Sequence, residues 1–210
     1  MAPGKNIKYK RPFDLTILTF VHLIPPLFVV WVLLWTIIPL LIWMEDRGPI
    51  FYKQKRVGKH GKVFTVIKFR TMVVDADTIW PPWTVEGDAR ITKVGRLLRK
   101  TALDELPELL SIWAGDMSLV GPRALSTHEQ SQLESEIPGF VKRLDVRPGL
   151  TGLAQIQNRS DNADAKLACD LEYIQRMSIW LDFKLLFTSA WYTLRLKWDG
   201  RSGRSETRVN

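Results

Sequence analysis

A long apolar run dominates the first quarter of the chain. Residues 15–44 contain no Asp, Glu, Lys or Arg, and 23 of these 30 positions are apolar. About 18 consecutive apolar residues already indicate a membrane helix, and the run is longer than the roughly 7–15 apolar residues of a signal peptide. The pattern therefore predicts that residues 1–48 form a membrane segment rather than a cleaved signal peptide.

Two prolines, Pro25 and Pro26, interrupt this run near its middle. Each proline removes a backbone donor and clashes with the preceding turn, so a kink or break is expected there. Lys and Arg flank both ends of the run, and these residues mark the cytoplasmic side of a membrane. We therefore expect a re-entrant helix–break–helix that dips into one leaflet and returns to the same face. The alternative is a bent single span with a basic patch on its far side.

The middle of the chain alternates strand and helix patterns. Residues 50–69 place aromatic and β-branched side chains on either side of a Gly-containing turn, which predicts a β-hairpin. Apolar periodicity predicts a short amphipathic helix within residues 89–100. A second helix should begin close to Asp104, because Pro107 is tolerated only in the first turn of a helix.

Residues 170–198 combine a helical period with many aromatic side chains. They either lie on the membrane surface or form an ordinary packed pair of helices. The predicted fold class is therefore α+β, mostly helical with a small β-hairpin, with a re-entrant N-terminal membrane segment and interfacial amphipathic helices. Residues 49–198 form the cytosolic domain at the membrane interface, and the polar tail 199–210 is expected to be disordered.

The charge balance favours anionic partners. The chain has 30 Lys and Arg against 22 Asp and Glu, a net charge of +8, which suits nucleic acid, an anionic membrane face or a phosphorylated substrate. The single cysteine, Cys169, excludes an internal disulfide and a cysteine-built metal cage. Neither a GxxxxGK[ST] loop nor a GxGxxG turn is present, so the common nucleotide-binding motifs are not supported.

Two adjacent acids, Asp104 and Glu105, are the main candidates for chemistry. Taken alone, Asp104 could simply cap a helix while Glu105 faces solvent. The arginines of the surrounding sequence favour a catalytic role for the pair. Arg99 lies upstream, and Arg123 and Arg147 lie in Gly/Pro-containing turns. Arginine forks match phosphate oxygens, an ionised aspartate can attack phosphorus, and a glutamate can hold Mg2+ on a diphosphate.

Several long motifs occur in a characteristic order. They include "KRPFD" at residues 10–14, "GDARITKVGRLLRKTALDELPELLSIWAGDMSLVGPR" at 87–123 and "RPGLTGLAQIQNR" at 147–159. With these motifs the chain resembles the bacterial sugar transferase family, the small monotopic phosphoglycosyl transferases, over residues 10 to about 190. The resemblance implies a re-entrant membrane helix with a proline break.

The resemblance also implies a reaction. Such enzymes move a sugar 1-phosphate from a UDP-sugar to polyprenol (undecaprenyl) phosphate and release UMP, using Mg2+ and an Asp-Glu dyad that carries a covalent phosphosugar intermediate. The family's positions correspond here to the dyad Asp104 and Glu105, Lys68 with Arg70 beside it, Arg99, and the phosphate-binding turn Pro122–Arg123–Ala124. Two residues depart from the family pattern: Ala124 replaces the second proline of the turn, and Ala102 stands where serine is usual.

The charge pattern and the family resemblance together predict the location of the protein and its binding partners. We expect the bacterial inner membrane as the location, with the catalytic domain on the cytoplasmic face, and we leave a homodimer open. Residues 75–90 and 157–168 are the expected sugar contacts, although the sequence does not name the sugar. A regulator with a decayed site is disfavoured by the intact acidic pair, and nucleic acid is not expected as a partner because most tryptophans fall in or beside apolar segments.

Overall fold

A computed structural model of the chain describes residues 8–79, 87–157 and 162–195. The predicted disordered tail and parts of both expected sugar-contacting segments lie outside these residues. Within them the protein is mostly helical, with one antiparallel hairpin and one short parallel pair of strands. The predicted helical content and the hairpin are therefore confirmed.

Helices α1 (Lys10–Leu23) and α2 (Pro25–Asp46) form the N-terminal segment. Ile24 between them has extended backbone angles, φ −68° and ψ 120°. The proline pair therefore opens α2 at its first two positions, where a missing N–H costs nothing because no partner exists for it. By length and composition α2 could cross a membrane.

The apolar side chains around this break face outward. His22 stacks on Trp31 with ring centroids 4.5 Å apart, which ties α1 to α2 close to the break. In the second half of α2, Ile38 and Ile42 are buried against the rest of the protein. The exposed residues near the break are Phe20, Leu23, Leu27, Phe28, Val29 and Val30.

The start of α1 is fixed to the body of the protein. Lys10 is buried and its Nζ lies 2.9 Å from the Asp182 carboxylate, which is fully buried. The same Nζ donates to the Val120 carbonyl at 2.7 Å. Arg11 adds hydrogen bonds to the carbonyls of Ile112 and Trp113.

The end of α2 is fixed to the same body. Both carboxylate oxygens of Asp46 accept hydrogen bonds from the guanidinium of Arg70. The Glu45 carboxylate accepts from the backbone N–H groups of Lys93, at 2.6 Å, and Val94, at 3.1 Å. These two amides open the next helix, where a negative charge is favoured by the helix dipole.

Strands β1 (Phe51–Val57) and β2 (Val63–Phe69) form the hairpin. They are antiparallel, with Tyr52 opposite Lys68 and Arg56 opposite Phe64. Because side chains alternate along a strand, one face of the hairpin turns towards the protein. The other face is mostly exposed, except at its end, where Phe69 packs against α2. The inner face carries Tyr52, Gln54, Arg56, Phe64, Val66 and Lys68.

Helix α3 (Lys93–Thr101) ends at Ala102, whose φ of 54° is left-handed. The 3-10 helix Leu103–Glu108 follows, and α4 (Leu109–Ala114) begins after it. Helical structure therefore begins at Leu103, close to the start predicted near Asp104, but its first six residues are a 3-10 helix and the α-helix itself begins five residues later than predicted. The left-handed Ala102 reverses the chain, and the acids fall in a tighter turn that contains Pro107.

Strands β3 (Ser118–Val120) and β4 (Gly149–Thr151) are parallel, with Ser118 opposite Gly149. Helix α5 (Thr127–Glu136) lies in the connection between them. A Cβ on Gly149 would lie 2.0 Å from the Gly121 nitrogen, so a side chain at this position would push the two strands apart.

Helices α6 (Leu153–Gln157), α7 (Ala163–Arg176) and α8 (Ile179–Leu194) complete the fold. The pattern over residues 170–198 thus contains a break, because the Ser178 hydroxyl accepts a hydrogen bond from Leu181 N and caps a new helix. The largest buried cluster includes Leu18, Phe64, Val66, Ile112, Val120, Leu153, Tyr173 and Leu185. Along α8, every third or fourth residue is exposed and apolar: Trp180, Phe183, Phe187, Trp191 and Leu194.

Candidate active site

The acidic pair lies on the 3-10 helix Leu103–Glu108, beside strand β2. Residues three apart align on one face of a 3-10 helix, so Glu105 and Glu108 point in one direction. Both are buried, at 9% and 6% exposure. The Nζ of Lys68 lies 2.8 Å from Glu105 and 3.0 Å from Glu108. One lysine therefore holds two carboxylates.

Arg123 reaches the same carboxylate from the other side. Its Nη2 donates to Glu105 Oε1 at 2.8 Å. The Glu105 carboxylate, with Glu108 and Asp104 nearby, raises the pKa of Arg123 further above its ordinary value. Glu105 is thus fixed between two cations, and the predicted residues Lys68, Glu105 and Arg123 meet at one point.

The backbone that carries Arg123, residues 122–125, is held by its carbonyl groups. Each of the four successive carbonyl oxygens accepts a hydrogen bond. From residue 122 to residue 125, the donors are Gly149 N at 2.8 Å, Arg143 Nη2 at 2.7 Å, Arg56 Nη1 at 3.1 Å and Val57 N at 2.9 Å. These contacts fix the 122–125 turn although Ala124 stands where a second proline was expected.

Arg143 is itself held by a buried network. Its Nε donates to Asp170 Oδ2 at 2.9 Å and its Nη1 to Gln130 Oε1 at 3.2 Å. Arg143 and Asp170 are 5% and 3% exposed. Because the same guanidinium donates to the Arg123 carbonyl, helix α7 is linked to the 122–125 turn.

Asp104 is less enclosed than its neighbour but sits among the same charges. Burial, followed by the nearby Glu105 carboxylate, raises its pKa to about 6, and Lys68, Arg99 and Arg123 oppose this rise. The carboxyl group is therefore mostly ionised at neutral pH and takes up a proton as the pH falls through about 6. An ionised, poorly solvated carboxylate next to several cations can act as a nucleophile towards an electrophile that carries negative charge.

The remaining predicted residues lie around this centre or away from it. Arg99 donates through Nε to Thr71 Oγ1 at 2.9 Å, and its charge acts on Asp104. Arg70 binds Asp46 and the Pro49 carbonyl, at the end of α2. Arg147 donates through Nε to the Gly115 carbonyl at 2.7 Å. The structure thus gives Arg70 and Arg147 structural contacts, and their phosphate-binding roles stay predictions.

Two residues of the site were missed by sequence reasoning. Glu108 pairs with Lys68, and its spacing of three residues from Glu105 was the available signal. Burial and Glu105 raise the pKa of Glu108, and the Lys68 charge opposes them. Arg56 was the second omission, and strand alternation with Gln54 could have placed it on the inner face.

A small recess opens between the hairpin and the 122–125 turn. It is lined by Arg56, Val66, Lys68, Glu108, Arg123, Ala124 and Gly149. Three cations and one carboxylate therefore surround it. Among the described residues no group of three His, Cys, Asp or Glu side chains is arranged to hold a metal ion, so a cation at this site would depend on oxygens of a bound substrate as well.

Comparisons with known proteins identify the family of this chain. The family model for the bacterial sugar transferase matches residues 5–195. The UDP-glucose:undecaprenyl-phosphate glucose-1-phosphate transferase of Caulobacter vibrioides is 40% identical over 153 residues, 70% of this chain and 57% of that protein. The protein of the same name from Escherichia coli K12 is 36% identical over 191 residues, 88% of this chain and 40% of that protein.

A third relative is the undecaprenyl-phosphate galactose phosphotransferase of Salmonella typhimurium, 36% identical over 178 residues, 75% of this chain and 37% of that protein. The chain therefore spans between about a third and three-fifths of the length of these relatives. Because the family model covers nearly the whole sequence, this chain belongs to the bacterial sugar transferase family.

Proposed function

We propose that the protein is a phosphoglycosyl transferase that moves a sugar 1-phosphate from a UDP-sugar to undecaprenyl phosphate and releases UMP. This reaction is a first membrane step of glycan biosynthesis. The observation that carries the proposal is the Asp104–Glu105 pair, with Glu105 held between Lys68 and Arg123. The names of the relatives, which act on UDP-glucose or on undecaprenyl phosphate, support the same reaction class.

In the first step Asp104 is the nucleophile. An oxygen of its carboxylate forms a bond to the β-phosphorus of the UDP-sugar, and the bond from that phosphorus to the bridging oxygen breaks. UMP leaves with the bridging oxygen and its electron pair, and the sugar 1-phosphate remains on Asp104 as an acyl phosphate. A pKa of about 6 keeps the carboxylate available at neutral pH, and the raised value makes it a stronger nucleophile than a freely solvated carboxylate.

In the second step the lipid phosphate is the nucleophile. One of its oxygens attacks the phosphorus on Asp104, the acyl-phosphate bond breaks, and its electron pair returns to the Asp104 carboxylate. The product is a polyprenol diphosphate sugar. Arg123 and Lys68 offset negative charge near the transferred group, and Glu105, fixed by both cations, keeps them in place.

Mg2+ fits the donor set of this site. Proteins usually hold Mg2+ on substrate phosphates through one or two carboxylates, without a complete cage of side chains. Asp104 and Glu105 are adjacent carboxylates and would hold the ion together with the diphosphate of the donor. When bound, Mg2+ would neutralise charge on the leaving phosphate.

The protein would work at the inner membrane, with its catalytic domain on the cytoplasmic face. Both ends of the N-terminal segment are fixed to this one domain, through Lys10 and Asp182 at the start and Asp46 and Arg70 at the end. Attachment of both segment ends to one domain supports a re-entrant course, because a single span would place the two ends on opposite faces of the membrane. The exposed apolar stripe of α8 supports its placement at the interface.

The experiment is to trap the intermediate. Wild-type protein in nanodiscs, given Mg2+ and a panel of UDP-sugars without lipid acceptor, should release about one UMP per protein and gain the mass of a sugar phosphate on Asp104. Asp104→Asn should release none, whereas Asp145→Asn, a substitution of an exposed aspartate, should behave as wild type. An adduct of equal yield on Asp104→Asn would exclude Asp104 as the nucleophile.

A further inference from the structure

Arg56 faces the active site from the inner face of the hairpin. It lies opposite Phe64 in the strand register, two residues along from the Gln54–Val66 pair. Its guanidinium lines the recess that also contains Lys68 and Arg123. The residue therefore belongs to the wall of the site, although the sequence patterns described above gave it no role.

Two contacts hold the guanidinium in a fixed orientation. Nη1 donates to the Ala124 carbonyl at 3.1 Å, and Nη2 donates to Gln54 Oε1. A guanidinium has five N–H groups, so these two bonds leave donors to spare. Both contacts are with neutral oxygens, and among the described residues Arg56 makes no ion pair.

Arg56 lies close to a second cation and, among the described residues, has no carboxylate within ion-pairing distance. Glu105 and Glu108 are engaged by Lys68 and Arg123, while Arg56 stands beside Arg123, a like charge. Burial and Arg123 lower the pKa of Arg56, and Glu129, Glu108 and Glu105 oppose this. A bound anion would relieve the repulsion between the two guanidiniums.

The size of the recess limits which anion can enter. The space between the walls admits a group about as large as one water molecule. A sugar or uracil ring does not fit there, whereas a single oxygen of a phosphate group does. Arginine forks are suited to such oxygens because two N–H groups can converge on a phosphate.

We propose that Arg56 is a phosphate-binding residue of this active site, and that its guanidinium, with Lys68 and Arg123, holds one oxygen of a substrate phosphate in the recess. The identity of the substrates rests on the proposed function. The shared chemistry is a phosphate oxygen, which comes either from the diphosphate of the UDP-sugar or from the phosphate of the lipid acceptor.

Binding is tested first without turnover, with inorganic pyrophosphate as the probe. Thermal unfolding of wild type, Arg56→Met and Arg56→Lys is followed as pyrophosphate is added, because a ligand of the folded state raises the melting temperature. Lys55→Met is the matched control, since Lys55 is the adjacent strand residue on the exposed outer face. Arg56→Met should need about 10–100-fold more pyrophosphate for the same shift, and Lys55→Met should match wild type.

Activity then separates the two phosphate sources. If the donor supplies the oxygen, Arg56→Met raises the KM for UDP-sugar and slows UMP release in the absence of lipid. If the acceptor supplies it, UMP release without lipid is unchanged and only the KM for undecaprenyl phosphate rises. Arg56→Lys retains the charge without the fork and should lie between wild type and Arg56→Met, and this variant decides the matter if Arg56→Met does not fold.

The proposal is overturned if folded Arg56 variants keep the wild-type pyrophosphate response and both KM values within twofold. Failure of the proposed function would look different. Folded wild-type protein would then release no UMP, while wild type and the Arg56 variants would still differ in their response to pyrophosphate.

Discussion

Arg143 offers a sharp test of how the fold holds the active site. Replacing it in Arg143→Met removes two buried hydrogen bonds, to Asp170 at 2.9 Å and Gln130 at 3.2 Å, and one partly buried hydrogen bond, to the Arg123 carbonyl at 2.7 Å. The bonds to Asp170 and Gln130 connect buried side chains of α7 and α5. The third bond holds the backbone of Arg123, whose side chain contacts Glu105. The substitution should therefore reduce both stability and catalysis, for separable reasons.

The stability loss follows from the carboxylate that is left behind. Removing one partner of a buried ion pair costs about 3–5 kcal/mol, which lowers the melting temperature of a protein of this size by roughly 6–20 °C. Burial already raises the pKa of Asp170, so protonation of its carboxyl group places the cost towards the lower end. Replacing both partners by apolar residues is often neutral, and Arg143→Met/Asp170→Leu should recover most of the loss.

Catalysis should not recover in the double variant. The Arg123 carbonyl still lacks its donor, so the 122–125 turn loses one of four restraints, and small displacements of a positioning group can reduce rates by up to about 100-fold. The assay is UMP release in a single turnover without lipid, measured beside thermal unfolding. We expect a decrease of at least about tenfold in both variants. A double variant with regained stability and the wild-type rate would show that Arg143 acts on stability alone.

Two further substitutions test the site and the membrane segment. Lys68→Met removes the charge that most lowers the pKa of Asp104. The pH at which the rate of UMP release is half-maximal should therefore rise from near 6 by about one unit, so the rate falls most at low pH. Lys53→Met, on the exposed outer face, should leave this pH profile unchanged. With one cysteine introduced before the break in a Cys169→Ser background, replacing Pro25 and Pro26 by Ala should permit a continuous helix and expose that cysteine to a periplasmic label in intact cells. The same introduced cysteine should stay unlabelled when both prolines are present.

The local features of the fold could be read from the sequence because they depend on neighbouring residues. The hairpin follows from alternation around its turn, and the interrupted helix follows from adjacent prolines. The start of α4 was misjudged because a non-glycine residue, Ala102, adopts a left-handed conformation that its sequence does not announce. That conformation ends α3, and the 3-10 helix with the acids follows directly after it.

The side-chain partners of the site were harder to predict. Family resemblance pointed to Lys68, Glu105 and Arg123, which the fold brings into contact across 18 to 37 positions of sequence. Arg70 was assigned to the site because it lies beside Lys68. Strand β2 ends at Phe69, however, so the alternation that would place residues 68 and 70 on one face no longer applies, and Arg70 binds Asp46. No pattern in the sequence specifies which of many arginines meets which carboxylate, since that depends on packing.

The end of strand β2 and the two residues after it perform three tasks within four consecutive positions, 68–71. Lys68 holds Glu105, Arg70 holds the end of α2, and Thr71 holds Arg99. A tilt of α2 that displaces Asp46 would therefore act on the same short stretch of backbone that positions the reacting groups. In the proposed function, the depth of α2 in the lipid and the position of Lys68 would therefore be coupled through Arg70, which lies two residues from Lys68 and binds Asp46 at the end of α2.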